Sequence, residues 1–196
     1  MTVEKFSVGS YQTNCYMVYG ETDKCVLIDP GYQPEEILEQ VRIKGKTVEA
    51  ILLTHGHFDH VGGVKKIAQE TGCRVYIGEE DLFLPPMLTA GQIYYTDNYG
   101  EGDTVTVAGL QVTVLHTPGH TPGCVCLLCE DTMFSGDTLF AGTCGRTDLP
   151  GGSHFEIMQS LARLAKLDKD YRVLPGHGEE TRLSRERRFN SFMQDI

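Results

Sequence analysis

Hydrophobic and polar positions in the first 54 residues predict four strands and one helix. Short apolar runs separated by glycine-rich and polar turns are typical of strands. Between Pro34 and Lys44, Ile37, Leu38 and Val41 recur at helical spacing, and a proline suits the first turn. The predicted strands are Val3–Val8, Thr13–Tyr19, Lys24–Ile28 and Thr47–Thr54.

Further along the chain, strands and helices alternate, which favours an α/β sandwich. The predicted helices run from near Asp59 to Thr71, then Glu79–Leu84, Phe155–Leu167 and Glu179–Phe192. The predicted strands are Cys73–Ile77, Thr104–Val107, Leu110–Leu115, Cys124–Cys129, Thr132–Phe134 and Tyr171–Leu174. Residues 85–103 and 139–153 are expected to be long irregular loops. The first is rich in apolar and aromatic residues, so it either lines a substrate pocket or packs over the core or a dimer contact.

Composition narrows the possible functions. The 196 residues are expected to form one domain, residues 1–196, that is large enough for a hydrophobic core. The net charge of −10 argues against partners such as nucleic acid or an anionic membrane surface. No signal peptide or transmembrane run is visible, and seven cysteines without framework spacing are expected as reduced thiols. These features predict a cytoplasmic location.

Candidate chemistry is concentrated in the hexapeptide His55-Gly56-His57-Phe58-Asp59-His60, which directly follows the apolar run 50–54. A buried strand that ends in a sharp glycine turn would present these side chains together. Imidazole and carboxylate donors suit zinc, iron or manganese. His55 and His57 project to one side of an extended chain and can share a metal, which leaves Asp59 and His60 for a second one. The alternative, a histidine-rich surface turn, does not explain the apolar strand before it.

Four further segments carry chemistry in the rest of the chain. They are His116-Thr117-Pro118-Gly119-His120, Phe134-Ser135-Gly136-Asp137, Leu174-Pro175-Gly176-His177 and Asp29-Pro30-Gly31. Together with the hexapeptide, and in their order along the chain, these segments resemble the signature of the metallo-β-lactamase superfamily. This resemblance implies a four-layer αβ/βα sandwich.

The resemblance also implies a set of metal ligands. His55, His57 and His120 would hold one divalent ion, Asp59, His60 and His177 would hold a second, and Asp137 would bridge them. The ions would be zinc in the first instance, with iron or manganese as alternatives. A hydroxide that bridges the metals would be the nucleophile, with Asp59 as the protein residue that takes part in catalysis. Asp29 would support the metal-binding loop without binding metal, or it would only form a turn before Pro-Gly.

Other polar side chains have two interpretations each. Arg146 would bind a substrate carboxylate, or it would pair with Asp148 to hold the loop. Cys144 either lines the wall of the site or only fills space, and no adjacent base marks it as a nucleophile. Cys124, Cys126 and Cys129 are interpreted as buried structural thiols rather than a thiolate site.

Within the superfamily, the chain is most similar to the short bacterial glyoxalase II-like proteins, which lack the extra C-terminal helical domain of glyoxalase II. Their similarity implies hydrolysis of a small-molecule thioester such as S-lactoylglutathione to a hydroxy acid and a thiol. A mononuclear-iron persulfide dioxygenase of the same fold, with iron held by His55, His120 and Asp137, is the first alternative, because its Cys-Gly-Arg-Thr-Asp loop is similar. A metal-binding scaffold without turnover is the second. Lactone or phosphoester hydrolysis stays open, β-lactam hydrolysis ranks lower, and the sequence leaves the oligomeric state undetermined.

Overall fold

Two six-stranded sheets pack face to face in the computed structural model, which describes residues 1–194. The strands, in chain order, are β1 (Thr2–Val8), β2 (Thr13–Tyr19), β3 (Lys24–Ile28), β4 (Thr47–Leu52), β5 (Arg74–Gly78), β6 (Asp97–Tyr99), β7 (Thr104–Val107), β8 (Leu110–His116), β9 (Val125–Cys129), β10 (Thr132–Gly136), β11 (Leu139–Phe140), β12 (Thr143–Cys144), β13 (Arg172–Pro175) and β14 (Thr181–Arg182). The helices are α1 (Pro34–Ile43), α2 (Phe58–Val61), α3 (Val64–Thr71), α4 (Pro86–Thr89), α5 (His154–Ala165), α6 (Leu183–Phe189) and α7 (Ser191–Gln194), with a 3-10 helix at Glu79–Phe83.

The order of strands explains where the candidate residues meet. The first sheet has the order β1-β2-β3-β4-β5-β6, antiparallel from β1 to β3 and parallel from β3 to β6. The second sheet has the order β14-β13-β10-β9-β8-β7, and β13 and β10 are its parallel pair. The segments that follow β4, β8, β10 and β13 carry the histidines and aspartates of the motifs. Ligand sites of α/β proteins lie at the carboxyl ends of strands.

Three hydrophobic clusters define the layers. One lies between the two sheets and includes Ile28 and Leu52 from the first and Leu127 and Phe134 from the second. A second cluster joins the outer face of the first sheet to α1 and α3. The third joins the outer face of the second sheet to α5, α6 and α7. Helix, sheet, sheet and helix therefore form the predicted four-layer αβ/βα sandwich.

The prediction of one final helix from Glu179 to Phe192 is wrong. Thr181 and Arg182 pair with β13 as the edge strand β14, and the helix begins only at Leu183. It ends at Phe189. Asn190, which follows, adopts an extended backbone, and its side chain donates hydrogen bonds to the carboxylate of Glu186 and the carbonyl of Thr143. The contact with Thr143 joins residues 47 positions apart, which local periodicity cannot show.

The two predicted loops also contain regular structure. The segment 85–103 holds α4 and β6, and β6 pairs in parallel with β5. Tyr99 of β6 is buried, stacks on Tyr76 and donates a hydrogen bond to the carbonyl of Leu53 at 2.5 Å. The segment 139–153 begins with the hairpin β11–β12. Strands this short are stabilised by their partners, so their sequences alone carry no alternating pattern. Within residues 1–194, every helix is too short or too polar to cross a membrane.

Candidate metal centre

The strand β4 and the helix α2 position the four donors of the hexapeptide. After Leu52 the chain bends at Thr54 and reaches His57, which has an extended backbone, and α2 then carries Asp59 and His60. A side chain at Gly56 would lie 2.8 Å from a terminal methyl group of Ile93 and 3.2 Å from the side chain of Asp81, so a larger residue there would have to displace these side chains. The prediction that Asp59 and His60 lie near a helix start is confirmed.

A first group of donors consists of His55, His57 and His120, whose ligand atoms lie within 4.8 Å of one another. All three side chains are buried, and His57 Nδ1 faces His120 Nε2 at 2.9 Å. His120 comes from the turn after β8, which is 63 positions from His57 in the chain. The sandwich therefore brings together two segments from different sheets.

A second group of donors consists of Asp59, His60 and His177. His177 Nε2 lies 3.2 Å from Asp59 Oδ2 and 3.3 Å from His60 Nε2. His60 is fully buried, whereas the side chain of His177 is 29% exposed. The second group therefore lies closer to solvent.

Asp137 lies between the two groups. One of its oxygens, Oδ2, is 3.5 Å from His120 Nε2 and 3.6 Å from His177 Nε2, and the other, Oδ1, is 3.6 Å from His60 Nε2. A carboxylate in this place contacts donors of both groups. The structure thus places all seven predicted donors at one site.

Unpartnered polar atoms at this site fit a pair of cations. His55 Nε2 and Asp137 Oδ1 are buried without a hydrogen-bond partner among the described residues; His57 Nε2 is too, but the nitrogen of that ring that faces His120 is Nδ1. Such atoms are costly unless something binds them. Nitrogen atoms also face each other in His57 and His120 and in His60 and His177, an arrangement that a shared cation explains. The donor set of imidazoles and carboxylates suits zinc, iron or manganese.

Hydrogen bonds on the far side of each ring fix which nitrogen faces the site. His60 Nδ1 donates to Asp29 Oδ2 at 3.0 Å, and His120 Nδ1 donates to the carbonyl of Arg146 at 2.8 Å. His177 Nδ1 donates to the carbonyl of Tyr11 at 3.2 Å. In each ring Nε2 is left for the site, as is usual for histidines that bind metals.

Asp29 contacts both the strand end and the site. Its carboxylate accepts hydrogen bonds from the backbone and the hydroxyl of Thr54, at 2.8 and 2.6 Å, and from His60. The hydroxyl of Thr54 is also 3.1 Å from His55 Nδ1. Because that hydroxyl donates to Asp29, it accepts from His55, which leaves His55 Nε2 for the site. Asp29 therefore orients two histidines, in line with the supporting role that the sequence implied.

Burial and neighbouring charges shift the pKa values of the histidines at this site in opposite directions. Burial and the neighbouring histidines lower the pKa of His57 to about 4 and the pKa of His55 well below its usual range. Both are neutral at pH 7 and have a lone pair to offer. Burial opposes protonation of His60, but the carboxylates of Asp137 and Asp29 raise its pKa to about 9. The pKa of Asp59 stays well below its usual range despite burial, because His177 and His60 stabilise its charge.

Asp81 is a residue of the site that sequence reasoning missed. Fully buried, it accepts hydrogen bonds from the backbone of Gly56 at 2.7 Å, the hydroxyl of Thr121 at 2.8 Å and the backbone of Gly123 at 2.7 Å. It therefore ties the hexapeptide to the turn that carries His120. Burial raises the pKa of this carboxyl, and the three donors oppose that shift. In the sequence Asp81 follows two other acidic residues, and nothing there distinguishes it from them.

Arg146 contacts the site through its backbone. Its guanidinium forms two hydrogen bonds of 2.7 Å to Asp148, and both side chains are largely exposed. Of its two sequence interpretations, the pairing with Asp148 is thus the one that the structure shows. Binding of a substrate carboxylate stays a prediction.

The cysteines are free thiols, and six of the seven are buried. Burial raises the pKa of Cys126 to about 11, and the sulfur of Cys126 accepts a hydrogen bond from the hydroxyl of Thr117. The sulfur of Cys124 lies 3.0 Å from the hydroxyl of Thr121, whose proton goes to Asp81. These properties confirm the interpretation of both as structural thiols. Cys144 is half-buried, and burial raises the pKa of its thiol too, which does not favour a nucleophile.

A groove of about 520 Å³ is lined by residues of the segment 79–98. Ile93, which packs against Gly56, forms part of its wall, as do Phe83, Leu84 and Tyr95. Phe83 is 81% exposed. The first interpretation of the segment 85–103, a wall of a substrate pocket, thus has a cavity of suitable size, and Ile93 connects its wall to Gly56 of the hexapeptide.

Comparison with known proteins gives one family. Residues 8–177 match the family model of the metallo-beta-lactamase superfamily. An Aquifex aeolicus protein named only as uncharacterized is 38% identical over 210 residues, which cover 100% of this chain and 99% of the relative. A Haemophilus influenzae protein named hydroxyacylglutathione hydrolase GloC is 31% identical over 208 residues, 98% of each chain.

Solved structures show the same fold. The structure titled BLEG-1 B3 metallo-beta-lactamase has a TM-score of 0.89 at 32% identity and covers 98% of this chain and 100% of its own. TTHA1623 in a di-iron-bound form has a TM-score of 0.84 at 39% identity, with 97% and 100% covered. ETHE1 from Myxococcus xanthus has a TM-score of 0.84 at 28% identity, with 97% and 84% covered.

Proposed function

Because the chain belongs to the metallo-beta-lactamase superfamily, whose members are typically hydrolytic metalloenzymes, we propose that it is a two-metal hydrolase of small-molecule thioesters. One observation carries the proposal. Asp137 contacts donor atoms of both groups, at 3.5 to 3.6 Å, so that two cations held by these groups would share one carboxylate. The proposed ligands are His55, His57 and His120 for one ion, Asp59, His60 and His177 for the other, and Asp137 for both.

The residues of the chain would prepare the site for a hydrolytic reaction. Divalent ions supply a Lewis acid that polarises a carbonyl and lower the pKa of a bound water to near 7, so that no serine or cysteine nucleophile is required. Asp29, the Arg146 carbonyl and the Tyr11 carbonyl hold the ring protons of His60, His120 and His177 away from the site. Asp59 and the neutral His55 and His57 are in the protonation states that metal binding requires at pH 7, whereas His60, whose pKa is raised to about 9, would release a proton when a cation binds.

A thioester is the substrate class that the relatives support. The Haemophilus influenzae relative is named a hydroxyacylglutathione hydrolase, and it matches 98% of this chain. A solved structure titled as a metallo-beta-lactamase is similar over 98% of the chain, so a β-lactam belongs in the assay panel. For the ions we propose zinc, with iron as the alternative in view of the di-iron form of the similar TTHA1623.

A mononuclear-iron persulfide dioxygenase is the second candidate. The segment 144–148 packs against the proposed first group, because the Arg146 carbonyl accepts from His120 and Gly145 lies close to the Asp137 backbone. ETHE1, with which the chain shares its fold, is the neighbour that motivates this candidate. It differs from the first candidate in metal number and in the use of oxygen.

Elemental analysis and turnover distinguish the candidates. The protein is purified without added metal, its metal content is measured, and hydrolysis of S-lactoylglutathione, a lactone, a phosphoester and a β-lactam is assayed. Oxygen consumption with glutathione persulfide is followed in parallel. We expect two metals per chain and thioester turnover. One iron per chain with oxygen consumption would favour the dioxygenase, and a metal-loaded protein inactive on the whole panel would favour a binding scaffold.

His177→Ala tests the ligand assignment directly. We expect it to remove one metal and most of the hydrolase activity, because the second group would keep only two donors. His154→Ala is a matched control, since His154 is exposed at the start of α5 and contacts neither group. Unchanged two-metal stoichiometry in His177→Ala would contradict the assignment.

A further inference from the structure

The turn between β1 and β2, residues 9–12, lies against the second donor group. The ring of Tyr11 is 60% exposed and packs edge-on against Phe58 of α2, with centroids 5.2 Å apart. Directly after the turn, the backbone N–H of Asn14 donates to the carbonyl of Gly176 at 2.7 Å. The turn is thus fixed to the hexapeptide on one side and to the segment of His177 on the other.

Two hydrogen bonds run from this region to the second group. The hydroxyl of Thr13, which is fully buried, donates to Asp59 Oδ2 at 3.0 Å. The carbonyl of Tyr11 accepts from His177 Nδ1 at 3.2 Å. Within residues 1–194, no hydrogen bond joins residues 9–13 to His55, His57 or His120. The contacts therefore distinguish the second group from the first.

We propose that Thr13 and the Tyr11 carbonyl are positioning groups that set the affinity of the second donor group for its cation. This inference rests on the two-metal site proposed above and identifies what controls its occupancy. Asp59 and His177 are two of the three donors of that group, and each has one of its hydrogen bonds with this region. His177 is also the most exposed of the donors, so it has less packing than the others to fix its ring. Residues that orient metal ligands typically contribute 10- to 100-fold to metal affinity.

This arrangement makes the number of bound metals depend on a turn that has no metal ligand of its own. Loss of the Thr13 hydrogen bond would leave Asp59 Oδ2 free to rotate away, whereas the first group would keep every contact. The protein would then hold one cation under conditions in which the unaltered protein holds two.

Thr13→Val removes the hydroxyl and keeps the shape of the side chain. Metal-free protein is titrated with Zn²⁺ in competition with a chromophoric chelator, and the two dissociation constants are measured. We expect the second constant to weaken about 10- to 100-fold and the first to stay unchanged. Thr13→Ser, which restores the donor, is expected to restore the second constant. Absorption spectra of the Co²⁺-loaded forms provide a further check, because loss of second-group binding removes the spectral change of the second equivalent.

A pair of glycine variants tests the turn independently of Thr13. Gly9 and Gly45 both adopt left-handed backbone, with φ of +67° and +64°. A Cβ at Gly9 would lie 2.3 Å from the ring of Tyr32, whereas at Gly45 it would contact nothing within 4 Å. Both alanine variants carry the same backbone strain, and only Gly9→Ala displaces the turn. We expect Gly9→Ala, and not Gly45→Ala, to weaken binding of the second Zn²⁺.

The outcomes separate this inference from the proposed function. If the unaltered protein binds two Zn²⁺ and Thr13→Val binds both with the same constants, the inference is wrong and the two-metal site stands. Equal weakening of both constants would make Thr13 a general structural residue and would also overturn the inference. Uptake of a single Zn²⁺ by the unaltered protein would overturn the two-metal site, and this inference with it.

Discussion

Replacement of Gly176 by alanine would place a methyl group among the proposed metal ligands. A Cβ at this position would lie 2.2 Å from Asp137 Oδ1 and 2.7 Å from His60 Cε1. The backbone cannot retreat easily, because the N–H of Gly176 donates to the Gly136 carbonyl at 2.8 Å and its own carbonyl accepts from Asn14 at 2.7 Å. The ligands must therefore move instead of the chain.

The distances give the size of the effect. Real Cβ atoms essentially never come closer than 3.0 Å to another heavy atom, so Asp137 Oδ1 must shift by about 0.8 Å. Catalytic groups must be held within about 0.5 Å of their working geometry, and a misplacement of about 1 Å can cost about 100-fold in rate. The extra methyl group in a packed region costs about 1–3 kcal/mol of stability. We therefore expect Gly176→Ala to lose about 100-fold in thioester turnover while it remains folded.

Three measurements check this expectation. Initial rates with S-lactoylglutathione report the activity, elemental analysis reports the metal content, and urea unfolding reports the stability. Gly100→Ala is the control, because a Cβ at Gly100 has no atom within 4 Å and its backbone is not left-handed. If Gly176→Ala kept the metal content and the turnover of Gly100→Ala, the assignment of Asp137 and His60 to the metal site would be refuted.

Three further predictions concern the groups around the site. Asp29→Asn should lower the free energy of unfolding by about 2–4 kcal/mol and reduce metal content, because an amide leaves at least one of three donors unpaired; a stability equal to the original in urea would contradict this. Metal-free protein should lose about 3 kcal/mol of stability between pH 6.5 and 9, because folding raises the pKa of His60 from about 6.5 to about 9. The protonated His60 stabilises the folded state fully below pH 6.5, and this stabilisation is lost as the pH rises through about 9. Urea unfolding in the presence of a chelator measures this change, and a gain in stability over that range would show the reasoning to be wrong. Arg146→Ala should leave the urea midpoint close to that of the original protein, because its pair with Asp148 is exposed. A raised KM for an acidic thioester in that variant, together with an unchanged KM in Asp148→Ala, would support substrate binding by Arg146, and equal KM values in both would exclude it.

The candidate donors and most secondary structure follow from the sequence. The hexapeptide is recognisable because four metal-binding side chains lie close together directly after an apolar run. This pattern depends only on neighbouring residues. His120, Asp137 and His177 were found because each also follows a predicted strand, in an order that resembles a known superfamily. The strands β1 to β4 are short apolar runs bounded by turns and the helix α1 has apolar residues at helical spacing, and the structure confirms them to within a few residues.

No local pattern marks Asp81 as a link between two donor turns, because its three partners are at least 25 positions away. The carbonyls of Tyr11 and Arg146 orient His177 and His120, but every residue has a carbonyl, so no letter of the sequence marks these two. The edge strand β14 formed where periodicity predicted a helix, because pairing with β13 outweighs local propensity.

The sequence by itself thus determined which donors the protein has and which strands deliver them, since both depend on local patterns of a few residues. Only the tertiary structure decided that these donors form two adjacent groups that share Asp137, and which backbone and side-chain groups hold them in place. The physical reason is that this arrangement depends on hydrogen bonds and packing between distant segments. Those contacts form only when the two sheets have packed against each other.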